Sequence, residues 1–260
     1  MKLEDIGRLY PELKPFLKFF NFKELFPPQE EAIRKGALER NFVLASGTAS
    51  GKTFIAILAS IRSVLKGKKV VYLAPLRALA FEKFKEFSKL PFKVALSMGD
   101  YDSSDPWLGS YDIIIATYEK MDSLLRHRPE WIRDIGLVVF DEIHEMGNKA
   151  VIETLATKLK GRHFLGLSAT IGNAEELAEW LDAELVISNF RPVPLKEGVV
   201  CGRKIVYKSG EEILKSEKSG IEGIIEDSLK RGYQVLIFAN SRREAEAVAE
   251  KAGEMSKLYI

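Results

Sequence analysis

Lys52 and Thr53 end the run Ala45-Ser46-Gly47-Thr48-Ala49-Ser50-Gly51-Lys52-Thr53, which follows the apolar stretch Phe42-Val43-Leu44 and opens a helical pattern. In such a loop, small side chains let successive backbone N–H groups curl around phosphate oxygens, and the helix N-terminus adds the positive end of its dipole. Lys52 is placed to reach the β- and γ-phosphates of a nucleoside triphosphate, and the Thr53 hydroxyl to hold magnesium. The strict pattern has glycine where this chain has Ser46, and Gly47 comes one place late. Serine is small enough to serve there. Ser46, Gly47, Thr48, Ala49, Ser50 and Gly51 are therefore read with Lys52 and Thr53 as one nucleotide-binding loop.

A triphosphate site needs carboxylates on a neighbouring strand to complete the surroundings of its metal. Leu137-Val138-Val139-Phe140-Asp141-Glu142-Ile143-His144 delivers two of them at the end of an apolar strand, and C-terminal strand ends are where parallel α/β sheets place ligands. Asp141 is assigned with Thr53 to the metal, and Glu142 to positioning or deprotonating the attacking water. With Lys52 these are the catalytic candidates.

The elements that must position these groups alternate. Apolar runs of strand type recur at 42–45, 69–73, 93–98, 112–116, 137–140, 163–167 and 185–187, with helical spacing at 53–65, 78–87 and 174–181. Runs such as Ile113-Ile114-Ile115 are apolar throughout, which marks strands buried on both faces. The expected fold is α/β, a P-loop domain whose parallel sheet is covered by helices on both faces. In Asn189-Phe190-Arg191-Pro192-Val193-Pro194 each proline forces the residue before it into extended backbone. A first domain is expected over 1–190, a connector over 191–196, and the incomplete start of a second α/β domain over 197–260. That last part should hold a strand at 205–207, a mostly helical stretch at 211–230, a buried strand at 234–238 and a helix at 242–252.

Composition narrows the class. Of 260 residues, 46% are hydrophobic and 29% charged, the profile of a globular chain, and no apolar run approaches the ~18 residues of a membrane span. Lys and Arg total 39 against 37 Asp and Glu, so a polyanion would have to be bound locally. The mixed charges of Met1-Lys2-Leu3-Glu4-Asp5 do not read as a secretory signal, and a cytoplasmic setting is the expectation. Cys201 is the single cysteine and histidine occurs only at 127, 144 and 163, which leaves no internal disulfide and no spaced zinc set. Gln occurs only at 29 and 234 among many Lys and Glu, as in proteins from very hot environments.

Taken in order, these motifs resemble those of superfamily 2 helicases of the DExH type, whose name reads off Asp141-Glu142-Ile143-His144. Phe26-Pro27-Pro28-Gln29 resembles the family's adenine-recognising segment, with Gln29 as the amide that pairs with the base. Ala74-Pro75-Leu76-Arg77-Ala78-Leu79-Ala80 and Ala116-Thr117-Tyr118-Glu119-Lys120 resemble two nucleic-acid motifs, and Ser168-Ala169-Thr170 the coupling tripeptide, to which His144 is added. Phe238-Ala239-Asn240-Ser241-Arg242 resembles the first motif of a second motor domain. Thr48-Ala49-Ser50, Gly99-Asp100-Tyr101-Asp102 and Arg191-Pro192-Val193-Pro194-Leu195 point to the superkiller-like branch and, within it, to archaeal members that process DNA forks. The resemblance implies a RecA-like fold, ATP and magnesium as cofactors, and movement on single-stranded nucleic acid, with DNA favoured over RNA.

Pro75, Leu76, Arg77 and Thr117 are the nucleic-acid candidates, because loops at one sheet edge hold a sugar–phosphate strand through N–H groups, hydroxyls and a guanidinium without reading bases. Trp107, Trp131 and Trp180 are given no role. The late motifs of the second motor domain, including its arginine finger, are not found, so the chain is expected to be a fragment of a longer helicase that binds nucleotide and hydrolyses it poorly. Two alternatives stay open. One is a non-catalytic, nucleotide-dependent nucleic-acid-binding module; the other is a different P-loop NTPase, although Asn148-Lys149-Ala150-Val151 does not supply a guanine-reading motif.

Overall fold

The computed structural model describes residues 1–99, 105–144, 149–169 and 174–256. The expectations placed on Asp100-Tyr101-Asp102 and on Thr170 lie outside the described residues. The chain divides into two compact units between Pro192 and Val193.

In the first unit each expected apolar run is a strand: β1 (Phe42–Ser46), β2 (Lys69–Ala74), β3 (Val94–Ser97), β4 (Ile113–Thr117), β5 (Ile135–Phe140), β6 (His163–Ser168) and β7 (Glu184–Ser188). They form one sheet in the order β3-β4-β2-β5-β6-β1-β7, with every pairing parallel. Because strand side chains alternate, the sheet sorts its residues into two cores. Phe42, Leu44, Val70, Tyr72, Ile115 and Val139 face one, while Val43, Val71, Leu73, Ile114, Val138 and Phe140 face the other.

Helices cover both faces, which is why the strands carry no polar side. The first core takes residues from α1 (Leu3–Leu9), a 3-10 segment (Pro11–Phe19), α2 (Pro27–Arg34), α3 (Lys52–Leu65) and α4 (Arg77–Phe87). The second takes residues from α5 (Tyr118–His127), α6 (Lys149–Lys158) and α7 (Ala174–Trp180). Periodicity announced only α3, α4 and α7. Arg62 of α3 fixes the N-terminal segment, pairing with Glu12 at 2.7 Å and Glu39 at 3.0 Å while its guanidinium lies over the Tyr10 ring. Trp131 is buried, whereas Trp107 and Trp180 stand half exposed. Among the described residues no helix is long and apolar enough to cross a membrane.

His163, which opens β6, carries a pH dependence. Burial pushes its imidazole down to about 4 against the backbone carbonyls of Arg40 and Ala37, which favour the charged form. An unfolded histidine takes its proton near pH 6.5, so the unfolded chain binds more protons between pH 6.5 and 4. Stability is therefore full above pH 6.5 and falls as the pH drops to 4, by about 3 kcal/mol in all. Urea unfolding at pH 7 and pH 4.5 should show a smaller decline in His163→Asn than in the parent chain.

The second unit departs from expectation. It opens with an antiparallel meander of β8 (Gly198–Cys201), β9 (Lys204–Tyr207) and β10 (Gly210–Ile213), followed by α8 (Gly220–Arg231) and α9 (Arg242–Ser256). The helical stretch expected over 211–230 is thus a strand and then a helix, because Glu211 and Glu212 pair across to Val206 and Ile205. Gly220 starts α8, at φ 62° after Ser219. The buried strand expected at 234–238 is not formed, and Leu236 and Phe238 are exposed. A continuous apolar run becomes a buried strand only where neighbours take up its backbone groups, and the meander does not pair with it.

Candidate nucleotide site

The site is built at the C-terminal edge of the sheet. Ser46 closes β1 fully buried, and its hydroxyl meets that of Ser50 at 2.6 Å, so serine in place of the usual glycine pins the two ends of the loop together. The loop needs left-handed backbone at Ala49 (φ 60°) and Gly51 (φ 77°). Gly51 is obligatory for a second reason: a Cβ there would overlap the Gln29 amide nitrogen. Gln29 is buried at N3 of α2. Its oxygen accepts from the Phe26 N–H at 2.8 Å and its nitrogen donates to the Gly51 carbonyl at 3.0 Å, tying α2 to the loop.

Asp141 leaves β5 nearly buried, held by two tyrosines from neighbouring elements. The Tyr72 hydroxyl donates to Asp141 Oδ2 at 2.6 Å, and the Tyr118 hydroxyl to the Asp141 carbonyl at 2.8 Å. Burial first, and then the Asp141 charge, pushes both phenols well above their ordinary range, so they stay protonated, Tyr72 orienting the carboxylate and Tyr118 the main chain of Asp141. Glu142 follows at φ 49°, a conformation few residues with a Cβ adopt. The turn is fastened to β6 by Ile143 N–H on the Leu167 carbonyl at 3.0 Å, and by the Ala169 N–H donating to His144 Nδ1 at 3.2 Å. Glu142 Oε2 lies 3.4 Å from the same Nδ1. Ala169, expected in the coupling tripeptide, therefore touches His144 directly. Ser168 is buried, and its hydroxyl has no partner among the described residues.

Loop and strand end meet in one cleft of about 690 Å³. It is lined by Thr48 to Phe54, Asp141 and Glu142, by Gln29 with Phe20, Phe22 and Phe26, and by Glu82, Lys83 and Glu86 of α4. Lys52 donates to the carbonyls of Ser46 and Gly47 at 2.7 and 3.2 Å. Burial lowers its ammonium pKa, Glu142 and Asp141 oppose that, and Lys83 adds to the lowering. For Lys83 burial works downward too, but Glu86, Asp141 and Glu82 outweigh it and raise the pKa.

The cleft suits a metal–triphosphate. The N–H groups of Thr48, Ala49, Gly51, Lys52 and Thr53 donate to no backbone carbonyl among the described residues, which leaves them for an anion. A hydroxyl and two carboxylates are the hard oxygen donors magnesium prefers.

The nucleic-acid candidates sit on the same edge, on the other side of Asp141. Ala74 pairs with Thr117, which places Pro75-Leu76-Arg77 beside the start of α5. Leu76 is 60% exposed and Arg77 is exposed. Thr117 is buried, and its hydroxyl accepts from the Lys120 N–H as the cap of α5. Sequence reasoning missed Tyr72, Tyr118 and Lys83. A tyrosine inside an otherwise apolar strand was the available signal, because a buried phenol needs a partner; for Lys83 no local signal existed.

Three comparisons bear on this geometry. A protein family described as DEAD/DEAH box helicase matches residues 26–177. The chain is 49% identical over 270 residues to "ATP-dependent DNA helicase Hel308" of Pyrococcus horikoshii, covering 100% of this chain and 37% of that protein. To the protein of the same name from Thermococcus kodakarensis it is 46% identical, covering 99% of this chain and 24% of that one. The chain thus spans about a quarter to somewhat over a third of these relatives. Among solved structures, the DUF1998 helicase MrfA bound to DNA and AMPPNP shares the fold at a TM-score of 0.73 and 23% identity, over 96% of this chain and 38% of that one. The Pyrococcus furiosus Hef helicase domain does so at 0.54, over 64% of this chain.

Proposed function

The chain belongs to the DEAD/DEAH box helicase family, and from that premise we propose that it is the ATP-binding part of a motor that moves on single-stranded nucleic acid, DNA in preference to RNA. The observation that carries the reading is the meeting of the Lys52 loop with Asp141 and Glu142 in one cleft. The DNA preference rests on relatives 46–49% identical to the chain that are ATP-dependent DNA helicases.

In this reading the loop N–H groups and Lys52 hold the triphosphate, with the base toward Gln29 and the phenylalanines. Magnesium would be held by Thr53 and Asp141, and when bound it neutralises charge on the phosphates. Tyr72 keeps Asp141 aimed at that place, and Glu142 orients the attacking water and takes its proton. His144, bonded to Ala169, links the carboxylate turn to the coupling tripeptide, while Pro75, Leu76 and Arg77 meet the sugar–phosphate strand. Thr117 shapes this edge as the cap of α5. We read residues 1–190 as the first RecA-like domain, 191–196 as the connector, and 197–260 as part of a second.

No arginine lies among the described residues lining the cleft, and a guanidinium on the γ-phosphate is worth ~10³ to 10⁵ in rate in related systems. The 260-residue chain by itself is therefore expected to bind nucleotide and turn it over slowly. Steady-state ATP hydrolysis with single-stranded DNA, single-stranded RNA or neither tests the reading. Low basal turnover with some stimulation by DNA supports it; fast turnover indifferent to both strands would point to another P-loop NTPase.

A further inference from the structure

Lys83 has no place in the chemistry above, yet its side chain touches Thr53, one of the two expected metal ligands. Its ammonium donates to Thr53 Oγ1 at 3.0 Å and lies 3.4 Å from Glu82 and from Glu86. The side chain is 12% exposed, so the ammonium is held inside the cleft rather than in solvent. Lys52 and Asp141 line the same cleft.

A divalent cation taking Thr53 Oγ1 as a ligand sits about 2.1 Å from that oxygen. There it meets the ammonium at a distance where like charges repel strongly in a partly buried site. Both cations answer the same need, positive charge beside Thr53 and Asp141, and their mutual repulsion disfavours holding both on one hydroxyl oxygen. Resting on the reading of the cleft as a metal–nucleotide site, we propose that Lys83 competes with the metal for the place beside Thr53 Oγ1 and shifts from that oxygen wholly onto Glu82 and Glu86 when the metal–triphosphate enters. Lys83 is thereby a positioning residue that sets the metal requirement of nucleotide binding.

The test is the magnesium dependence of binding. A fluorescent, non-hydrolysable ATP analogue is titrated at rising Mg²⁺ against the chain and against Lys83→Met, which keeps the length and apolar stem. The Mg²⁺ midpoint should fall about tenfold in the variant, with binding in the absence of metal nearly unchanged. An unchanged or higher midpoint overturns the proposal. So does an equal loss of affinity with and without metal, which would assign Lys83 to the phosphates instead.

Glu86→Gln supplies an independent arm if Lys83→Met does not fold. It removes a carboxylate that receives the displaced ammonium and should raise the midpoint several-fold, an effect that the double variant should abolish if it acts through Lys83. A rise that persists unchanged in the double variant, or no rise in Glu86→Gln, counts against the proposal. Mn²⁺ binding to the nucleotide-free chain, followed by electron paramagnetic resonance, separates this inference from the reading beneath it. Tighter Mn²⁺ binding in Lys83→Met upholds the competition even if nucleotide binding fails, and unchanged Mn²⁺ binding contradicts it even if nucleotide binds well.

Discussion

Lys52→Ala lowers the affinity of the chain for ATP by about 100-fold, the loss expected when a charge-assisted contact to phosphate is removed from a partly buried site. Lys52 is one of two cations among the described residues lining the cleft, and it stands against Glu142 and Asp141. Without it those carboxylates face the phosphates with only Lys83 nearby. The variant also releases the carbonyls of Ser46 and Gly47, which Lys52 now holds, so the loop loses the staple that gathers it. Lys52→Arg keeps the charge but presents a planar fork, and should recover only part of the affinity. Titration with a fluorescent nucleotide measures both variants; full retention of binding in Lys52→Ala would remove the loop from the site.

Glu142→Gln should cut ATP hydrolysis about 10³-fold, within the range that a positioned general base contributes, while leaving nucleotide binding intact or tighter. The amide keeps the shape and the left-handed turn at φ 49° but cannot accept the proton of the attacking water. Loss of one carboxylate near the triphosphate also removes a repulsive charge. Single-turnover hydrolysis by the chain, read alongside binding, separates the two effects. A rate unchanged by the substitution would favour a non-catalytic nucleotide clamp over a motor.

Much of the first unit could be read from residue order. Buried parallel strands need apolar side chains on both faces, so β1, β2, β4 and β5 stood out as unbroken runs, and the loop chemistry of 46–53 followed because only small residues tolerate its backbone. Helices α5 and α6 escaped notice: Tyr118 to His127 mixes Lys120 and Ser123 into its buried face, which blurs the helical spacing. The buried Lys120 is held there by Asp105 at 2.9 Å, a partner that lies fifteen positions earlier. Thr117 is a nucleic-acid candidate because a hydroxyl at a strand end suits phosphate, and its capping of α5 is a use of threonine that the sequence did not announce. The contacts of Lys83 with Thr53, and of Tyr72 with Asp141, join residues thirty or more positions apart. The 234–238 run misled because an apolar pattern states a capacity for pairing and not the presence of a partner.

The central claim is that a triphosphate and its metal lie between the Lys52 loop and the Asp141–Glu142 strand end. A crystal structure of the chain grown with magnesium and a non-hydrolysable ATP analogue tests it most directly. The account predicts phosphate density against the N–H groups of residues 47–53, a metal beside Thr53 and Asp141, and the Lys83 ammonium turned toward Glu86. Nucleotide density elsewhere on the molecule, or phosphates on the loop with Asp141 and Glu142 out of reach of the metal, would contradict it.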